Sequence, residues 1–197
     1  MIIYCATTNP GKLREFQMAV QAASGGEIQV EPIAGLAGVP PCEETGSTFE
    51  ENAIRKAAYY SRHAPGLLFA DDSGLEVAAL GGAPGVQSAR FAGPEASDEA
   101  NNRLLLARLM GVQDRTAQFV CVVALADAGR LIRTFRGTVP GRITEAPRGR
   151  NGFGYDPLFY HEPFERTFGE IPAEQKLRVS HRWQALRQLC AYLLTPP

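Results

Sequence analysis

Two acidic pairs, Glu43-Glu44 and Asp71-Asp72, and four well-separated basic residues, Lys12, Lys56, Lys176 and Arg182, are the side chains best suited to chemistry in this sequence. Carboxylates from separate loops are what a hard cation such as Mg²⁺ requires. A carboxylate beside such a cation can also orient and deprotonate a water. Asp71-Asp72 ends an apolar run, the usual place for a site in an α/β sheet. Adjacent strand residues point to opposite faces. One Asp is therefore expected to face a site while the other caps a turn at Ser73-Gly74. The same four residues also read as a plain turn signal, and Glu43-Glu44 alone reads as a solvated loop. The basic residues could hold a polyphosphate. Asn52 and Lys56 stand at i, i+4 and share a helix face, although alone they make only a solvated stripe.

The segment Thr7-Thr8-Asn9-Pro10-Gly11-Lys12 joins a short apolar run to a helical pattern. A Walker A loop needs G-x-x-x-x-G-K-[ST]. Aligned on Gly11-Lys12, its first Gly falls on Ala6 and its hydroxyl on Leu13, which argues against a P-loop NTPase. What remains is a helix start with free N–H groups, a Gly and a Lys, all favourable to an anion. An ordinary βα loop capped by Thr8 or Asn9 is the plainer alternative.

These residues must be positioned by a chain of 197 residues, 45% hydrophobic, with net charge −1. That supports one sizeable core or two tightly joined lobes, with no linker or internal repeat. A near-neutral chain has no field for nucleic acid polymers. Its apolar start is too short for a signal peptide, and nothing approaches the roughly 20 apolar residues of a membrane span. Cys5, Cys42, Cys121 and Cys190 are scattered without a C-x-x-C, which points to reduced thiols in a cytoplasmic protein.

Ile2–Ala6 reads as a buried strand. Leu13, Phe16, Val20 and Ala23 form one helix face, stopped by Gly25-Gly26, and a short strand follows at Ile28–Pro32. Thr48 and Glu51 fit a capping box opening a helix that ends before Pro65-Gly66. Strands are expected at Leu67–Asp71 and Leu75–Leu80, with a Gly-rich loop over 81–91. Ser97 starts a helix that runs to Gly111. Ala117–Ala126 is apolar on both faces and central. Asp127-Ala128-Gly129 turns it into Leu131–Thr138, whose mixed polarity suggests a strand at or near an edge. About forty residues of Gly- and Pro-rich loop precede a last helix with Trp183, Leu186, Cys190 and Leu193 on one face. Interleaved strands and helices with one hairpin predict an α/β fold with a mixed sheet.

Six segments, "ATTNPGKLREF", "EETGSTFEENAIRKA", "ADDSGLEV", "GGAPGVQSARF", "GFGYDPLF" and "EQKLRVSHRWQAL", run in this order from residue 6 to residue 186. Together they resemble the Ham1/RdgB-type inosine triphosphate pyrophosphatases. The resemblance implies a single domain spanning 1–197: a long, twisted, mixed β-sheet with helices on both sides, forming two lobes around a central substrate cleft. It implies Mg²⁺-dependent cleavage of ITP, dITP or XTP to the monophosphate and pyrophosphate, and a homodimer. By the same resemblance Thr7, Thr8, Asn9, Pro10, Gly11 and Lys12 contact the triphosphate. Glu44 and Asp72 hold the metal, and Asp72 is also the general base. Lys56 and Ser73 contact substrate. Phe153, Gly154, Tyr155 and Asp156 form the nucleoside loop, and Lys176, His181 and Arg182 complete the site.

Hypoxanthine and xanthine carry a 6-oxo group where adenine carries an amino donor, so a guanidinium or backbone N–H would select them. Guanine shares that oxygen and must be rejected through its 2-amino group. An aromatic ring, Phe153 first, is expected to stack on the base. Two departures stand out: Thr8 where the family often has Gly, and Trp183 where it usually has Gly. A pyrophosphatase with another base preference and a catalytically silent nucleotide-binding module are the competing readings.

Overall fold

The computed structural model describes residues 1–195. Seven strands form one sheet: β1 (Ile2–Cys5), β2 (Gln29–Pro32), β3 (Leu68–Val77), β4 (Thr116–Asp127), β5 (Arg130–Ile143), β6 (Phe159–His161) and β7 (Arg166–Thr167). Their order is β2-β1-β3-β4-β5-β6-β7. β1 runs parallel to both β2 and β3, and β5-β6 and β6-β7 are antiparallel. The sheet is therefore mixed, as the alternating elements and single hairpin predict. The helices are α1 (Pro10–Ser24), α2 (Phe49–Tyr60), α3 (Asp98–Arg108), α4 (Ala173–Leu177) and α5 (His181–Leu194). Among the described residues, no helix is long and apolar enough to cross a membrane.

Helix ends follow the sequence chemistry closely. The Asn9 side chain accepts the Lys12 N–H, Pro10 opens α1, and Gly25 closes it in the left-handed conformation, each a residue suited to its position. Thr48 caps α2 by accepting the Glu51 N–H. The returning half of the expected capping box lands one residue earlier: Glu51 Oε2 accepts from both the N–H and hydroxyl of Ser47. Ser97 caps α3 through the Ala100 N–H.

Three expectations need correction. Ser73-Gly74 does not turn the chain, and β3 runs unbroken through it. Gly74 serves a close approach instead: a Cβ there would meet the Ser88 hydroxyl and the Gly85 carbonyl, and Ser88 Oγ takes the Leu75 N–H. β5 is longer than expected, at 14 residues; β6 pairs with only its last two, so Leu131–Thr138 itself lies near an edge, as its mixed polarity suggests. Residues 139–180 hold β6, β7 and α4 as well as loops.

The chain divides into two compact units, each discontinuous in sequence: residues 1–72, 121–137 and 181–197 in the first, residues 73–120 and 138–180 in the second. In the first, α1 packs on α5, and Phe16 meets Phe69 edge-on with ring centroids 5.3 Å apart. The hairpin from β4 to β5 turns through Ala128 (φ 46°) and Gly129 (φ 88°), and Ser61 Oγ accepts the Gly129 N–H. Two left-handed residues in a two-residue loop match the right-handed twist of the strands. In the second unit, Phe119, Phe159 and Phe168 form an aromatic core. His161 packs against Phe164 and Phe168, its Nδ1 buried with no hydrogen-bond partner among the described residues. Burial pushes the His161 pKa down, the neighbouring Glu162 opposing only in part.

Two stability predictions follow from these placements. Left-handed backbone costs an L-residue about 1–2 kcal/mol, and Asn tolerates it better than Ala. Ala128→Asn should therefore stabilise by about 0.5–1 kcal/mol and raise Tm by about 2 °C; a lower Tm would overturn the assignment. His161 titrates at lower pH folded than unfolded, so it costs nothing above about pH 6.5 and destabilises as the unfolded state takes up its proton below that. The stability of His161→Leu relative to wild type should therefore rise as pH falls from about 6.5 to 5, measured by urea unfolding.

Candidate functional site

In the first unit, Asp71 and Asp72, both buried, lie near the middle of β3, which runs on past the point where the sequence suggests it ends. Their alternation along the strand gives each its own partners. Lys12, in the first turn of α1, donates to Asp71 Oδ2 at 2.8 Å. Asp71 therefore pairs with Lys12 and does not cap a turn. Burial alone would raise its pKa, but Lys12, Lys56 and Arg182 outweigh that and hold it at about 2.

Asp72 is gripped from α2. Lys56 Nζ lies 3.2 Å from Asp72 Oδ1 and 3.3 Å from Glu44 Oε1, and Asn52 Nδ2 donates to Asp72 Oδ2 at 3.1 Å. Residues 52 and 56 share a face because they are one helical turn apart. Burial pushes the Asp72 pKa up, Lys56 and Asn52 pull it down, and Asp71 and Glu44 add to the rise; the net shift is upward. Lys56 moves up too: burial opposes its charge, but Asp71, Asp72 and Glu44 together favour it.

Thr7 Oγ1 accepts the Asn9 N–H, bending the backbone into α1. Thr8, Asn9 and Pro10 are exposed, while Gly11 and Lys12 are half-buried. From α5, Arg182 donates to Glu15 Oε2 at 2.8 Å, one helical step beyond Lys12 on α1. His181 is buried at the first residue of α5. Gly137 of β5 makes room for that helix start, since a Cβ there would strike the His181 carbonyl and the Ala185 N–H.

In the second unit, Gly152 to Asp156 wraps a buried ion pair. Lys176 Nζ lies 2.5 Å from Asp156 Oδ2, with side chains 5% and 2% exposed. Asp156 also accepts the Phe153 N–H, and the Lys176 ammonium lies 5.1 Å from the centre of the half-buried Phe153 ring. Gly152 has φ 75° and sits so close to Asp156 Oδ2 that no side chain fits. Gly154 is held from α3 on both sides: its N–H goes to Asp98 Oδ2, and its carbonyl accepts from Asn102 Nδ2. Tyr155 is a core residue whose hydroxyl donates to the Ser88 carbonyl; burial pushes its phenol up. Ser73, half-buried, opens this unit.

Thus Lys12, Glu44, Lys56, Asp72 and Arg182 belong to one unit, and Ser73, Phe153–Asp156 and Lys176 to the other. Sequence reasoning missed Glu15, Asp98 and Asn102. Asp98 carried a signal only as a helix-start acid, and Glu15 meets Arg182 across 167 positions.

The chain matches the Ham1 family over residues 3–192, and it belongs to that family. It is 50% identical to a dITP/XTP pyrophosphatase of Acidobacterium capsulatum, with 98% of each chain covered. It is similar to the solved structures of the Staphylococcus aureus Ham1 protein (43% identity, TM-score 0.85) and a HAM1 protein from Coxiella burnetii (41%, TM-score 0.86), each covering 98% of both chains.

Removing one member of a buried ion pair leaves an uncompensated charge and costs about 3–5 kcal/mol. Lys176→Met should therefore lower Tm by about 6 °C or more in a thermal melt. A shift under about 2 °C would mean that Asp156 does not depend on Lys176.

Proposed function

We propose that the protein hydrolyses nucleoside triphosphates carrying a deaminated purine, namely ITP, dITP and XTP, to the monophosphate and pyrophosphate, and so clears them from the nucleotide pool. The observation that carries this reading is Asp72: a buried carboxylate with a raised pKa, set with Glu44 around one cationic group. The chain's full-length similarity to a dITP/XTP pyrophosphatase supports it.

Asp72 is the general base that takes a proton from the attacking water as the α–β anhydride is cleaved. A raised pKa moves a carboxylate toward the neutral range where it accepts a proton more effectively. The donor set fits a magnesium ion. Glu44 Oε1 and Asp72 Oδ1 both lie within 3.3 Å of the Lys56 ammonium, so two anionic oxygens converge on one cation. Among the described residues, no group of three acidic, His or Cys side chains is placed to hold a metal ion by itself. One or two carboxylates, completed by substrate phosphates and water, is how Mg²⁺ is commonly held. Bound by Glu44 and Asp72, Mg²⁺ would neutralise charge on the phosphoryl oxygens.

The chain's own groups do the rest. Thr7 to Lys12, at the start of α1, bind the triphosphate through the Lys12 ammonium and through backbone N–H groups other than those of Asn9 and Lys12, which Thr7 and Asn9 hold, and Lys56 and Ser73 contact the substrate. Phe153 stacks on the base, with Gly154, Tyr155 and Asp156 shaping its loop and Lys176 fixing that loop through Asp156. His181 and Arg182 donate toward the 6-oxo group, which adenine lacks. The protein is taken to act as a single-domain homodimer in the cytoplasm.

The purified protein with Mg²⁺ should release pyrophosphate from ITP, dITP and XTP at least about tenfold faster than from GTP, ATP and dTTP. Release of orthophosphate alone would overturn the reaction, and equal rates on GTP and ITP would overturn the specificity. Asp72→Asn should lower kcat by at least about 10²-fold, the lower range for a general acid–base group. Near-wild-type turnover would remove Asp72 from that role.

A further inference from the structure

Asn52 is fully buried in α2 and has both ends of its side chain engaged. Its Oδ1 accepts the Gly46 N–H at 2.8 Å, and its Nδ2 donates to Asp72 Oδ2 at 3.1 Å. The orientation of the amide is forced. A backbone N–H can only donate, so the oxygen must face Gly46 and the NH₂ must face the carboxylate. The approach is tight: a Cβ on Gly46 would lie 2.6 Å from Asn52 Oδ1 and 2.8 Å from Glu51 Cβ. Gly46 stands two residues after Glu44, so Asn52 ties the loop bearing one acid to the side chain of the other.

We infer that Asn52 is a positioning residue that fixes Glu44 and Asp72 relative to one another and assigns separate work to the two oxygens of Asp72. This rests on the proposed hydrolase reading, in which those acids bind the metal. With Oδ2 occupied by the Asn52 amide, Oδ1 is the oxygen turned toward Lys56 and Glu44. A neutral amide achieves this without cancelling the charge of Asp72, as a second lysine would. A lysine in its place would also bring a competing cation to the metal acids. Side chains that orient metal ligands typically affect metal affinity or activity by about 10–100-fold, and that range is the expected effect here.

The test uses the intact protein with Asn52→Leu, which keeps the shape and loses both hydrogen bonds, and Asn52→Ala, which leaves room for water to satisfy Gly46 and Asp72 and so burdens folding less. Ala57→Gly in the same helix serves as a control for stability alone. Mn²⁺ binding is measured by electron paramagnetic resonance in the presence of a non-hydrolysable α,β-imido ITP analogue, at a temperature where all variants are folded. Both Asn52 variants should bind Mn²⁺ about 10–100-fold more weakly, and the Mg²⁺ concentration for half-maximal turnover should rise to a similar extent. KM for ITP at saturating Mg²⁺ should stay within about threefold. Ala57→Gly should lower Tm and leave Mn²⁺ affinity unchanged. The proposal is overturned if a folded Asn52 variant keeps Mn²⁺ affinity within about threefold of wild type, or if wild type binds no Mn²⁺. Failure of wild type to release pyrophosphate would instead overturn the hydrolase reading, and the Mn²⁺ measurement would still decide the role of Asn52.

Discussion

Two neighbouring carboxylates are buried at the middle of one strand, and most of the first unit can be understood as the means of keeping them there. An isolated buried carboxylate is costly enough that it would normally take up a proton. Asp71 and Asp72 avoid this because a strand turns successive side chains to opposite faces, so each can be compensated separately. Asp71 is neutralised by Lys12 from α1, with Arg182 of α5 contributing at longer range. Asp72 is satisfied by Lys56 and Asn52 from α2. Three segments far apart in the chain are thereby tied to one strand. The compensation is unequal: Asp71 is driven to about 2, whereas Asp72 is displaced upward. Adjacent acids pushed apart in this way are suited to different roles, one a fixed counter-charge and the other a proton acceptor.

The second unit applies the same principle to a loop. Asp156 is enclosed by its own segment, through the Phe153 N–H and the close-packed Gly152, and is neutralised by Lys176 from α4. A loop built around a satisfied ion pair can present Phe153 in a fixed orientation at little further entropic cost. The two hydrogen bonds from α3 to the Gly154 peptide act in the same sense, holding the backbone from a rigid element.

What could be read from the sequence was mostly local. Asn9, Gly25, Thr48 and Ser97 cap their helices as their side-chain chemistry dictates, and the unbroken apolar run of β4 marks it as an interior strand. What could not be read depended on contacts distant in the chain. Ser73-Gly74 carries the composition of a turn, yet it lies inside β3 because the absent Cβ accommodates Ser88 and Gly85. The candidate site divides in the same way. Asn52 and Lys56 were legible as a shared helix face, but nothing in the sequence tells that one side chain reaches Asp72 and Gly46 together. The pairing of Glu15 with Arg182 requires α1 and α5 to pack first.

The two departures from the family pattern, Thr8 and Trp183, differ in their surroundings. Thr8 does not need glycine's conformational freedom, since among the described non-glycine residues only Ala128 and Glu165 have positive φ. Capping falls to Asn9 and bending to Thr7. Thr8 is exposed, so a methyl and hydroxyl there restrict only how closely a ligand approaches that backbone. Trp183 lies in the first turn of α5. It is half-buried one helical step before Leu186, while Arg182 beside it points to Glu15. Neither position carries a charged group, and the nearby Lys12 and Arg182 keep their ion pairs with Asp71 and Glu15.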